Sequence, residues 1–131
     1  MTLLTADQIL NADDLVTEDV EVPEWGGTVR VRMMTGAERD AFEASLAQQK
    51  GKNVRTNLAN LRARLVAKTA VNAEGKRLFT DEQAGVLGQK SAAALDRVFE
   101  AARKLNGMTE KDVEELTEDF PEEDGGASST G

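Results

Sequence analysis

The 131-residue chain carries 24 acidic and 16 basic side chains, a formal charge of −8, and contains no histidine, cysteine or tyrosine. Without imidazole or thiol there is no Ser-His-Asp triad, His or thiolate metal site, disulfide framework or iron–sulfur cluster. An enzyme would have to work with Asp, Glu, Lys, Arg and Ser alone, so the chain is read as non-catalytic and free of cofactors. The length fits one domain. Met1 to Thr5 lacks a basic, apolar leader, and no window approaches the ~18 apolar residues of a membrane span. The expectation is a soluble, cytoplasmic protein that uses no membrane.

Charge is unevenly spread. Residues 1–27 hold seven acids and no base, residues 28–107 hold 15 bases and eight acids, and residues 108–131 hold nine acids and only Lys111. A basic middle between acidic ends has two readings. In one, the middle is an ordinary solvated helical surface. In the other, the ends screen a basic surface meant for an acidic partner. Nucleic acid is a poor candidate for that partner, because the whole molecule is repelled at long range and no aromatic stacking platform accompanies the bases.

In chain order, residues 1–16 form an acidic N-terminal segment in which Leu3, Leu4, Ile9 and Leu10 are candidate anchors, with Thr5 and Gln8 spaced as a helix capping box. Val20, Val22, Val29, Val31 and Met33 then alternate with Glu21, Arg30 and Arg32 around Gly26-Gly27, which predicts a β-hairpin over 19–34. Glu21 should face Arg30 or Arg32 across it, Pro23 marks an edge, and Trp25 should cap its apolar face as a core plug. Thr35 and Glu38 open a helix over 36–49 with Ala37, Ala41, Phe42 and Leu46 on one side. Residues 48–53 are a polar break.

Val54, Leu58, Leu61, Leu65 and Thr69 recur at spacings of three and four and predict a helix over 54–71, with Arg55, Arg62, Arg64 and Lys68 on its outer side. Asn72 to Gly75 reads as a turn. Thr80 and Gln83 open a short helix over 80–88 carrying Val86 and Leu87. Ser91 caps a helix over 91–105 whose stripe is Leu95, Val98, Phe99, Ala102 and Leu105, closed by Asn106-Gly107. Thr109 and Asp112 mark a last acidic helix over 108–121, with Val113, Leu116 and Phe120 on one side; aspartate should close this box less well than glutamate. Three apolar residues make that helix marginal alone, so it docks on its own chain or orders on a partner. Residues 122–131 have nothing to bury and should be a disordered tail. The fold class is α+β: an N-terminal hairpin packed on a mainly helical bundle, a globular domain over 17–107, and flexible acidic termini.

No motif carries chemistry. Asp13, Asp14, Glu18 and Asp19 lack the spacing and glycine of a calcium loop, and no phosphate-binding glycine motif is present.

The succession of pieces nevertheless has a likeness. The hairpin Val20 to Arg32 runs into Met33-Met34-Thr35-Gly36-Ala37-Glu38-Arg39-Asp40-Ala41-Phe42-Glu43. Arg64-Leu65-Val66-Ala67-Lys68-Thr69, Asn72 to Thr80, Leu87-Gly88-Gln89-Lys90-Ser91 and Ala101 to Gly107 follow. Over roughly residues 15–118 this order resembles the tail assembly chaperones of long-tailed (siphovirus-type) bacteriophages and prophages. The resemblance implies a protein that binds the tape measure protein in the host cytoplasm, keeps it soluble, promotes tail tube assembly around it and is absent from the finished virion. The tail tube protein is a further implied partner. It also implies a longer form made by ribosomal frameshifting, of which this chain looks like the short counterpart, and self-association is compatible with it.

A client groove is then expected between the hairpin and the helices at 36–49, 54–71 and 91–105. Its candidate contact residues are Trp25, Arg55, Leu58, Arg62, Leu65, Lys68, Val113, Leu116 and Phe120. The alternative from another class is a small virion structural protein, such as a head–tail connector or tail completion component, which would form a defined ring.

Overall fold

A computed structural model describes residues 2–47 and 54–117, the side chains of residues 47, 54–57 and 59 excepted. The fold is α+β. A three-stranded antiparallel sheet, in the order β1-β2-β3, is built from β1 (Thr17–Val22), β2 (Gly27–Arg32) and β3 (Ala70–Val71). The helices among the described residues are α1 (Ala6–Leu10), α2 (Gly36–Ala47), α3 (Val54–Thr69), α4 (Ala84–Leu87), α5 (Ala92–Leu105) and α6 (Glu110–Thr117).

The hairpin forms in a register different from the one expected. Pro23–Trp25 makes a turn of 3₁₀ helix and Gly26 takes a left-handed φ of 75°, so Gly27 is already the first residue of β2. Val22 therefore pairs with Gly27, Glu21 lies opposite Thr28, and Asp19 lies opposite Arg30. Asp19 accepts from the Arg30 guanidinium at 2.7 and 3.2 Å, and Arg32 pairs instead with Glu38 at 2.7 Å. The offset from the expected pairings is an even number of residues, so every side chain keeps its face. Val22 and Val31 are fully buried, with Val20 and Val29 half-buried beside them.

All five predicted caps close in hydrogen bonds, Ser91 Oγ accepting the Ala94 amide at 3.2 Å. Thr5 and Gln8 exchange bonds at 2.9 and 3.2 Å, and Thr35 and Glu38 at 2.9 and 3.1 Å. The Thr80 amide donates to Gln83 Oε1 at 2.9 Å. Asp112, expected to close its box less well than glutamate, does so with Thr109 at 2.8 and 3.0 Å. Hydrogen bonds that Thr109 donates to it, from the backbone amide first and the hydroxyl second, hold the Asp112 carboxyl below its ordinary range.

α3 ends two residues earlier than predicted. Ala70 and Val71 leave the helix to pair with Val31 and Arg30, and Asn72 Oδ1 accepts the amides of Glu74 and Lys76, turning the chain back. α3 is the centre of the bundle. Leu61, Ala63, Leu65, Val66, Ala67 and Thr69 are buried on several of its sides, because α2, α4, α5 and α6 all pack on it. α5 lies across the apolar face of β1 and β2 with Ala94, Leu95, Val98, Phe99 and Ala102 buried. On α2 the buried residues are Phe42 and Leu46, while Ala37 and Ala41 face solvent. α6 docks on α3 and α2 through half-buried Val113 and Leu116. The expected helix over 80–88 is a 3₁₀ turn (Asp81–Gln83) continued by α4. The polar break at 48–53, Phe120 and the tail over 122–131 lie outside the described residues.

Candidate binding groove

The space between the hairpin and α2, α3 and α5, where a groove was expected, is filled by core side chains: Val22, Val31, Phe42, Leu61, Val98 and Phe99 are at most 3% exposed. An open apolar groove lies instead at the hairpin tip. Trp25, Phe79, Gln83, Val86, Leu87 and Lys90 line about 280 Å³. Leu87 and half-buried Phe79 belong to the packed interior, whereas Val86 is 66% and Trp25 37% exposed.

Each wall is held by a specific contact. Glu24 accepts from Arg97 Nε at 2.9 and 3.2 Å, which ties the hairpin tip, and with it Trp25, to α5. The Arg97 hydrogen bond holds the Glu24 carboxyl below its ordinary range. Opposite, the Arg77 guanidinium donates twice to Ala67 O, at 3.1 and 2.9 Å, and once to Asp81 at 2.7 Å. Lys68 donates to the other Asp81 oxygen at 3.2 Å. Asp81 thereby fastens the segment carrying Phe79 and Gln83 onto α3. Its carboxyl sits below the ordinary range, chiefly through the Arg77 hydrogen bond.

The groove is apolar apart from an amide, Gln83, and a cation, Lys90. Lys90 has no ion-pair partner among the described residues. Such a surface takes apolar side chains from a partner helix or strand and favours an anion beside them. It offers no nucleophile–base pair, and among the described residues no three His, Cys, Asp or Glu groups are clustered to hold a metal. No described helix is long and apolar enough to cross a membrane.

The residues singled out from the sequence do not form one surface. Trp25 is on the groove rather than closed in the core. Leu65 is fully buried, Leu58 is half-buried against the core, and Val113 and Leu116 are spent on docking α6. Arg62 lies 3.5 Å from Asp96, and Lys68, its side chain 12% exposed, is bonded to Asp81. The outer face of α3 thus directs these cations to carboxylates of its own chain. The Arg55 side chain and Phe120 lie outside the described residues. Phe79 and Val86 were not singled out. The signal for Val86 was an aliphatic residue next to Leu87 on a helix too short to bury both.

Residues 9–119 match the family described as phage tail assembly chaperone, and the chain belongs to that family. The fold is similar to that of the bacteriophage HK97 tail assembly chaperone, at 18% sequence identity and a TM-score of 0.56, over 76% of this chain and 94% of that one. Comparison with curated protein sequences gave no match. The chain is a phage tail assembly chaperone.

Proposed function

We propose that this chaperone binds the tape measure protein through the groove formed by Trp25, Phe79, Val86 and Leu87, and keeps it soluble while tail tube protein assembles around it. The observation that carries the reading is an apolar groove left open by an otherwise filled core. Exposed apolar surface held in place by ion pairs on both sides is what a partner site requires. The client offers apolar side chains from an amphipathic segment, with an acidic residue beside Lys90. Binding and release involve no catalytic step and no cofactor. The chaperone acts in the host cytoplasm and leaves before the virion is complete. A frameshifted longer form of the chain is a further partner in this reading and recruits tail tube protein, and self-association accompanies client binding.

Co-expression with the tape measure protein tests the reading. The soluble fraction of that protein should rise severalfold with this chain and co-purify with it, and Val86→Glu should abolish both effects. Equal solubility with the wild-type chain and Val86→Glu would remove the groove from the account.

A further inference from the structure

The sheet leaves one long edge open. Ladder bonds between antiparallel strands fall on alternate residues. The Met33 amide donates to Val16 O at 2.9 Å, in the same register as Thr17 with Arg32. The even-numbered residues of β1 are therefore the ones bonded to β2, and the amides and carbonyls of Thr17, Asp19 and Glu21 point outward. None of those groups has a hydrogen-bond partner among the described residues. The far edge is closed, because Val71 bridges to Arg77 and the Leu78 amide donates to Ala70 O at 2.9 Å. β1 also lacks the usual guards of an edge: neither proline, lysine nor bulge interrupts it, and Pro23 follows only after its end.

We propose that β1 takes an added strand from the client, an extended segment of the tape measure protein with basic side chains opposite Glu18 and Glu21 and an apolar one opposite Val20. Continuity with the groove supports that source. β1 runs about 20 Å and ends at Val22, directly before the turn that carries Trp25, so a segment laid along it arrives at the groove. The identity of the client rests on the groove reading; the open edge and the charge it selects do not.

Charge chooses the occupant. Asp19 is paired with Arg30, but Glu18 and Glu21 have no ion-pair partner among the described residues. Glu18 shares the α5 side of the strand with half-buried Val20 and with Val16, which is 55% exposed, and Glu21 lies on the other side. A second copy of β1 is refused. In a two-fold pair, the longest overlaps that use the outward groups set Asp19 against Asp19 or against Glu21, and the shorter ones set Glu18 or Glu21 against itself. Like charges directly opposite each other destabilise a strand pair. The chain's own arm is no better suited: residues 2–16 carry Asp7, Asp13 and Asp14 and no base, and α1 buries none of its residues.

Amide exchange separates strand addition from mere proximity. In a complex of the full chain with the tape measure protein, exchange at Thr17, Asp19 and Glu21 should slow at least tenfold. Glu18 and Val20, already bonded to β2, should change far less. Excess of a blocked peptide, Thr-Arg-Val-Thr-Arg-Thr, should slow the same three amides without any client, and Thr-Glu-Val-Thr-Glu-Thr should not. Glu21→Pro removes one outward donor and none of the β1–β2 bonds. It should weaken tape measure binding at least fivefold more than Glu21→Ala, with circular dichroism unchanged in both. A complex in which the three amides exchange as in the free chain would overturn the proposal, and so would equal effects of the two peptides. So would slowing in the free chain as its concentration rises, which would make a second copy the occupant. If the basic peptide protects the edge and Glu21→Pro weakens the client while Val86→Glu binds it normally, the edge stands and the groove reading fails.

Discussion

The backbone amide of Met34 donates to Asn106 Oδ1 at 2.7 Å, joining residues 72 positions apart in the chain. The same asparagine donates from Nδ2 to Ala102 O at 2.9 Å, and its own carbonyl accepts from Arg39 at 3.2 Å. One residue at the end of α5 therefore ties down both the exit of the hairpin, through its side chain, and the start of α2, through its carbonyl. Asn106→Ala leaves the Met34 amide and the Ala102 carbonyl without these partners and should cost about 1–3 kcal/mol in urea denaturation. Asn106→Asp keeps the acceptor for Met34 and should lose less. Equal losses for the two would show that the bond to Met34 is not what matters.

Gly107 follows Asn106 at φ 68°, a left-handed conformation that a side chain resists. Gly107→Ala should destabilise the protein by about 1–2 kcal/mol. Gly36, at the start of α2, has open space around it and an ordinary backbone, so Gly36→Ala should be neutral or mildly stabilising. Thermal melts of the two variants separate backbone strain from crowding.

Asp81 gives the fold an acid-sensitive tie. Its carboxyl is held below the ordinary 3.8, first by the Arg77 hydrogen bond and then by Lys68. Protonating it in the folded protein requires a lower pH than in the unfolded chain, so its stabilisation is complete above that ordinary value. It is lost as pH falls through the lower folded value. Asp81 is more than half exposed, which limits the effect to below about 1 kcal/mol after solvent screening. Denaturation midpoints should fall less steeply between about pH 4 and pH 2 in Asp81→Asn than in the wild type. Parallel acid limbs would contradict this.

Leu65 and Val86 separate stability from binding. Leu65 is fully buried in α3, and Leu65→Ala should cost about 2–5 kcal/mol. The part of that variant that remains folded should bind client as the wild type does. Val86→Glu changes an exposed position and should move stability by no more than about 0.5 kcal/mol, yet abolish client binding. Circular dichroism melts alongside pull-down with the tape measure protein check both.

Much of this architecture was legible in the residues. The Thr-x-x-Glu/Gln/Asp spacings located α1, α2 and α6 and the turn before α4, because a cap is a local hydrogen-bond pattern. The hairpin was legible through the alternation of Val20, Val22, Val29 and Val31. Its register was not, because Pro23 and Trp25 fold into a 3₁₀ turn that moves Gly27 into the strand. β3 was hidden because Ala70 and Val71 continue the helical period of α3, and only pairing with β2 draws them out of it. The groove was least legible. Its walls come from the hairpin tip, the segment after β3, and α4, which are brought together by Glu24–Arg97 and Asp81–Arg77. The periodic stripes that nominated Leu58, Leu65, Val113 and Leu116 report burial, and burial is where those side chains go.

The central claim is that the tape measure protein lies against Trp25. Trp25 is the only tryptophan in the chain, so its emission reports on the groove alone. The direct measurement is a fluorescence titration of the full chain with a tryptophan-free tape measure fragment, with complex formation followed in parallel by size-exclusion chromatography. The account predicts a blue shift of Trp25 emission that saturates with the complex and is absent in Val86→Glu. A complex that forms on the column while Trp25 emission stays unchanged would contradict it.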